Sequence, residues 1–163
     1  MIEYKFCPLC GELLTQRDIE GRSRIVCPDD SCGFIFWDNP VPVVAAIVEH
    51  NGHVLLARNK EWPEGMFGLI TGFLENDETS EEGVIREVHE EIGLKSEVVS
   101  LVGVYPFLER NQILIAYHVL ARGEVVLGDE IVQVKPVLPE KLRSWQSGTG
   151  LAVRDWLKKR END

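Results

Sequence analysis

Hydrophobic and polar positions along this chain switch between two periods, and each switch marks an element. Val43 to Val48 is a short apolar run, the pattern of a buried strand. Asn51-Gly52 follows, a strong hairpin signal, with His53 to Arg58 as the returning strand. Trp62-Pro63-Glu64-Gly65 reads as a loop, and Met66 to Leu74 as a strand with glycine breaks at Gly68 and Gly72. The period then becomes helical. A helix is expected from Thr79 or Ser80 to Ile92, with acidic residues in its first turn and Gly93 in the C′ position. Its interior glycine, Gly83, costs about 1 kcal/mol relative to alanine, so close packing is expected there. Val98 to Tyr105, Gln112 to Ala121 and Ile131 to Val137 read as strands. Thr149 to Arg160 reads as a second helix, apolar at Leu151, Val153, Trp156 and Leu157 and basic at its end. Several strands and two helices predict a mixed sheet packed by helices, an α/β (α+β) fold.

The first 38 residues follow neither period. Asp38-Asn39-Pro40-Val41-Pro42 reads as a linker, which divides the chain into 1–38 and 39–163. All four cysteines lie before it, as Cys7-Pro-Leu-Cys10 and Cys27-Pro-Asp-Asp-Ser-Cys32 with 16 residues between the pairs. Two such knuckles can close a tetrahedral thiolate site around Zn²⁺; two disulfides or free thiols are the other readings. Gly11 and Gly33 follow the pairs and would let backbone N–H groups turn toward the sulfurs. A segment this short buries little core, so a metal would hold it together. A structural role for the zinc ribbon is expected.

Charge changes the picture next. The 163 residues carry 17 basic and 27 acidic side chains, a net charge of -10. That disfavours nucleic acid and anionic membranes as bulk partners. No signal peptide is expected from MIEYKF, and no apolar run approaches the roughly 18 residues of a membrane span. The cytoplasm is the expected compartment, and a homodimer is a possible assembly. Residues 75–91 hold 8 acidic side chains and 1 basic one, and so carry most of the excess.

Successive helical residues turn by about 100°, so with Glu87 at zero, Glu91 lies near +40° and Glu90 near -60°. Val84, Ile85, Val88 and Ile92 form the adjacent apolar face. Carboxylates at i, i+3 and i+4 repel one another. A hard divalent cation removes that repulsion, and Mg²⁺ or Mn²⁺ binds through carboxylates plus substrate phosphates. A bare E-x2-EE also fits a solvated acidic face.

The wider segment, GFLENDETSEEGVIREVHEEIGL over 72–94, resembles the Nudix box, G-x5-E-x7-R-E-U-x-E-E-x-G-U with U aliphatic. Gly72, Glu78, Arg86, Glu87, Val88, Glu90, Glu91, Gly93 and Leu94 occupy every specified position. The resemblance implies a loop–helix–loop on an α/β/α sandwich and Mg²⁺-dependent hydrolysis of a nucleoside diphosphate linked to another moiety. It implies Glu87, Glu90 and Glu91 as metal ligands, with a backbone carbonyl near Gly72. Glu87 would also orient or deprotonate the water. Arg86 would hold a box glutamate, and Glu78 would pair with Arg86. Glu130, in Gly-Asp-Glu-Ile, is the candidate for a further acid outside the box.

The four-cysteine ribbon and the line Cys32-Gly33-Phe34-Ile35-Phe36-Trp37-Asp38-Asn39-Pro40 are similar to the NADH pyrophosphatase group of that family. That group carries SQPWPFPxS after the box. Here the stretch is Val104-Tyr105-Pro106-Phe107-Leu108-Glu109-Arg110-Asn111, which keeps the Pro-Phe core and an aromatic before it. A further N-terminal domain of that group is not expected here. Tyr105 and Phe107 are candidates for stacking on a base or nicotinamide ring, with Trp37 and Trp62 as weaker ones. The expected activity is a pyrophosphohydrolase acting on a nucleotide such as NADH or ADP-ribose and releasing AMP. The alternatives are a nucleotide-sensing module whose ribbon binds a protein or nucleic acid, and an isomerase on the same fold.

Overall fold

In a computed structural model, which describes residues 4–162, the run from Val43 to Val48 is buried on both sides. It belongs to the longer strand β4 (Val41–His50). Val44, Ala46 and Val48 point to one apolar cluster, and Val43, Ala45 and Ile47 to the others, as a period of two requires. The chain divides into two units, Met1–Asn39 and Pro40–Asp163.

In the first unit, β1 (Thr15–Ile19) and β2 (Arg22–Val26) form an antiparallel hairpin, and β3 (Ile35–Phe36) pairs with β2. Glu20 and Gly21 both take positive φ, 53° and 78°, which suits a two-residue turn. The knuckles are closed by backbone bonds from Gly11 N to Cys7 O (2.9 Å) and from Cys27 N to Phe34 O (2.9 Å).

In the second unit, β4 is central to a six-stranded mixed sheet. Along one side it runs parallel to β8 (Gln112–Arg122), from Val41↔Gln112 to Glu49↔Leu120. Its other side is shared: β6 (Ile70–Phe73) takes Val43 to Ala46, and β5 (His53–Asn59) takes Val48 to His50. The edges are β7 (Lys95–Phe107) beyond β8 and β9 (Ile131–Val137) beyond β5. Pro136 sits in β9, where an edge strand tolerates a missing N–H. Asn51 and Gly52 make the expected turn, with φ of 49° and 75°.

One helix covers each face. α1 (Ser80–Ile92) packs Val84, Val88 and Ile92 against Val44, Ala46, Leu55 and Ile70. α2 (Gly150–Asn162) places Val153 and Trp156 against Ile47, Val54 and Leu69, and Ala152 against Ala45 and Leu114. This is the expected α/β/α sandwich. α1 has its expected bounds because its ends are chemically marked. Thr79 accepts from Glu82 N while Glu82 accepts from Thr79 N, a complete capping box, and Gly93 closes the helix at φ 71°. A Cβ on Gly83 would lie 2.8 Å from Glu78 Oε1 and 3.0 Å from Leu74, so the glycine admits the preceding loop.

The strand expected from Met66 to Leu74 is much shorter. Gly68 pairs with Ala57 of β5 (2.9 and 3.0 Å), and four residues then pair with β4. The segment changes partner, so no single strand spans it. Among the described residues no helix is long and apolar enough to cross a membrane.

Candidate active site

Arg86 is the organising side chain. Its Nε donates to Glu78 Oε2 (2.9 Å), and Nη2 donates to Glu78 Oε1 (2.6 Å) and the Phe73 carbonyl (3.1 Å). Nη1 donates to Glu87 Oε1 (2.6 Å) and Glu90 Oε2 (2.9 Å). All five guanidinium donors are thereby satisfied in one plane. Glu78 also accepts from Glu75 N (2.9 Å). The Arg86 bonds, with that backbone bond, hold its carboxyl down at about 2. The pairing of Glu78 with Arg86 suggested by the resemblance is present in the structure.

Glu87 lies over Gly72. A Cβ there would stand 1.8 Å from the Glu87 carboxyl carbon, so a side chain at 72 would displace it. Burial raises the pKa of Glu87, against the pull of Arg86. Glu90 is more open, with 57% of its side chain exposed. Glu91 lines a small cavity of about 50 Å³ together with Glu130, Asn59, Thr71 and Trp62. Its carboxylate has no hydrogen bond or ion pair with any described residue. Burial first, and then the charges of Glu87, Glu130 and Glu90, push its carboxyl up to about 8.

Glu130 thus stands next to Glu91, and backbone bonds explain how. Gly128 N donates to Glu91 O (2.9 Å), Val126 N to Ile92 O (3.0 Å), and Lys60 N to Glu130 O (2.8 Å). A Cβ on Gly128 would lie 2.2 Å from the Glu90 carbonyl, so glycine lets the loop lie on the end of α1. Asn59 Nδ2 donates to Glu130 Oε2 (3.3 Å). Neither Asn59 nor Gly128 was singled out from the sequence. The Gly-Asp-Glu turn was the available signal for Gly128.

A cavity of about 580 Å³ adjoins Gly72. Trp62, Phe67, Phe73, Phe107 and Trp145 supply aromatic walls, and Arg110 lines it as well. Phe107 and Trp62 therefore stand where stacking is possible. Tyr105 does not. It is 8% exposed, packs with Ala45 and Ala152, and donates its hydroxyl to Asp155 Oδ2 (3.1 Å). It lies under α2, which covers it, so the stacking role weighed for it is corrected to a packing role. Trp37 lies in the first unit, where the Arg24 guanidinium stands 5.4 Å from its ring. Trp145 carried no sequence signal, because the segment before α2 has no regular period.

The four cysteine sulfurs lie within 4.8 Å of one another. Cys7 Sγ is 3.6 Å from Cys32 Sγ, and Cys10 Sγ is 3.5 Å from Cys27 Sγ. These distances exclude disulfides, whose S–S length is about 2.05 Å. They suit a tetrahedral ZnS₄ site, in which Zn–S bonds of about 2.3 Å set sulfurs roughly 3.8 Å apart.

A carboxylate-bearing loop–helix–loop on an α/β/α sandwich, with a glycine under its central glutamate, defines the class of the second unit. The NUDIX domain family model matches residues 38–156, and the chain belongs to the Nudix family, whose members generally use a divalent metal ion. It is 36% identical over 117 residues to the mitochondrial NAD(P)H pyrophosphatase NUDT13 of Mus musculus, covering 71% of this chain and 32% of that protein. It is 34% identical over 125 residues to the NAD-capped RNA hydrolase NUDT12 of Homo sapiens, covering 72% and 27%. The chain spans between about a quarter and a half the length of the curated relatives it matches. Among solved structures, a NUDIX hydrolase from Nitrosomonas europaea superposes with a TM-score of 0.82 at 27% identity, over 98% of this chain and 93% of that one.

Proposed function

We propose that this chain hydrolyses the diphosphate bond of a nucleoside diphosphate derivative, such as NADH or ADP-ribose, and releases AMP. The observation that carries the reading is the Glu78–Arg86–Glu87–Glu90 network lying over Gly72 at the edge of an aromatic cavity. Glu87, Glu90, Glu91 and the Gly72 carbonyl would hold Mg²⁺ or Mn²⁺. The unpartnered, charge-repelled Glu91 supports a cation at this place. When bound, such an ion neutralises phosphate charge and lowers the pKa of water. Arg86 fixes the Glu87 and Glu90 carboxylates, so they need not reorganise when substrate arrives. Glu87 accepts a proton from the attacking water, and Glu130 is the second candidate for that role. Trp62 and Phe107 grip the base. Cys7, Cys10, Cys27 and Cys32 hold structural Zn²⁺ in the first unit.

The test is a panel of NADH, ADP-ribose and dinucleoside polyphosphates with Mg²⁺, in which AMP is the product followed. Glu87→Gln is expected to lower turnover by about a hundredfold to ten-thousandfold with the fold intact. A variant as fast as the parent removes Glu87 from the chemistry. Tight binding with no turnover in either metal would replace the hydrolase by the sensing module.

A further inference from the structure

The large cavity has two ends. Gly72 and Thr71 line the end beside the carboxylates, whereas Arg110 and Gln112 belong to the chain entering β8. The sheet register measures their separation. Gly72 faces Val44, Val44 faces Ile115, and Gln112 lies three residues before Ile115. Two strand spacings of about 4.8 Å and three rises of about 3.3 Å put Gly72 and Gln112 roughly 14 Å apart.

Arg110 is presented firmly. It ends the 3₁₀ turn Leu108–Arg110, Asn111 N donates back to Leu108 O (3.1 Å), and Val41 N donates to Asn111 O (2.9 Å). Yet its guanidinium has no hydrogen bond or ion pair with any described residue. Arg17, Arg86, Arg122, Arg154 and Arg160 each engage a carboxylate, and Arg24 and Arg143 engage backbone carbonyls. What sets Arg110 apart from the remaining arginines, Arg22 and Arg58, is its place on the cavity wall. In a chain with 27 acidic residues, a free guanidinium on an aromatic cavity wall calls for an anion from outside.

We propose that Arg110 is a specificity-determining residue that binds a phosphoryl group carried by the substrate outside the diphosphate it loses, such as a ribose 2′- or 3′-phosphate. The proposal rests on the hydrolase reading above and names the substrate class of that same site. A guanidinium binds phosphate through two parallel N–H donors. Arg110 belongs to the turn beyond Gln112, at the end of the cavity away from Gly72, so its expected effect is on KM rather than kcat.

Binding alone tests this, without turnover. Calorimetric titration compares 5′-AMP with adenosine 2′,5′-bisphosphate and adenosine 3′,5′-bisphosphate. One bisphosphate is expected to bind about tenfold to a hundredfold more tightly than AMP, as charge-assisted hydrogen bonds do. Which one it is assigns the 2′ or 3′ position. Arg110→Ala should collapse that ratio and Arg110→Lys should keep part of it. Equal binding of all three by the parent, or a ratio unchanged in Arg110→Ala, overturns the proposal. In the kinetic arm, the NADPH-to-NADH and coenzyme A-to-dephospho-coenzyme A ratios of kcat/KM should fall in the variant through KM. Hydrolysis of none of the four, nor of ADP-ribose or the dinucleoside polyphosphates, overturns the hydrolase reading, while the titration still decides the role of Arg110.

Discussion

Cys7, Cys10, Cys27 and Cys32 bring four sulfurs within 4.8 Å of one another, whereas Glu87, Glu90, Glu91 and Glu130 form no group that tight among the described residues. The first set converges on one point and can satisfy all four positions of a tetrahedral ion with protein atoms. The second set is looser: Arg86 draws Glu87 and Glu90 together, and Glu91 shares a small cavity with Glu130. Closed ligand sets suit structural metals, and open ones leave room for water and substrate. The apolar cores differ in the same sense. Among the described residues of the first unit the buried apolar ones are Val26, Cys7 and Cys27, while in the second they fill both faces of a sheet. On the proposed reading, the first unit would need its ligands to fold, and the second would need its fold to hold ligands.

The largest effect that would break this contrast is on the first unit. Cys27→Ser should lower bound zinc well below one ion per chain and unfold the ribbon, since zinc supplies about 10–16 kcal/mol of apparent folding energy in small zinc modules. The sheet unit should keep its melting transition. Amide spectra that retain dispersed β1 and β2 signals in this variant would show that the ribbon does not depend on its metal.

The second effect tests whether the open set depends on Arg86. Lysine has three donors on a point charge and cannot span Glu78, Glu87 and Glu90. Arg86→Lys is expected to cost roughly tenfold to a hundredfold in turnover, the usual range for a residue that orients metal ligands, and to lower the melting temperature. Parent-like turnover would mean that the carboxylates arrange themselves.

Much of this was legible in the sequence, for physical reasons that differ by element. The capping box and Gly93 mark α1 chemically, so its ends could be read. The 100° rotation placed Glu91 nearer the apolar face than Glu90, and Glu91 is the more buried of the two. The cavity was not legible. Phe73 at the end of β6, Arg110 in the turn before β8 and Trp145 in the loop before α2 come from three distant segments that only the tertiary fold brings to one cavity. Tyr105 and Phe107 share one face of β7, where pairing with β8 is regular and both bulges come earlier in the strand. Only the packing of α2 over Tyr105 tells them apart, and that packing is tertiary.

The third effect is a pH dependence. The folded-state pKa of Glu91 is raised to about 8, above its unfolded value near 4.3. Its contribution to stability is therefore present below that unfolded value and lost as pH rises through 8. Metal-free protein should melt at progressively lower temperature between pH 5 and 8. Stabilisation by added Mg²⁺ should grow over the same window, as the ion displaces the proton. Glu78 has the opposite sign: with its carboxyl held down at about 2, its contribution is fully present across this window and is lost only as pH falls below about 4. Glu91→Gln should flatten the metal-free profile and weaken the Mg²⁺ response. A profile as steep as the parent's would assign the titration elsewhere.

The smallest effect locates the border of the open site. Tyr105 and Phe107 lie two residues apart, yet Phe107 lines the cavity and Tyr105 packs under α2. Burial and the nearby Asp155 raise the Tyr105 hydroxyl to about 12, so it remains a neutral donor at any working pH. Tyr105→Phe removes one hydrogen bond, while Asp155 keeps its ion pair with Arg154 (2.9 Å). The expected loss is about 0.5–1.5 kcal/mol, or a few degrees in melting temperature for a domain of this size. KM should stay at the parent value. Phe107→Ala should show the reverse weighting, with KM raised more than stability is lowered. A raised KM in Tyr105→Phe would move the border and make both aromatics part of the substrate wall.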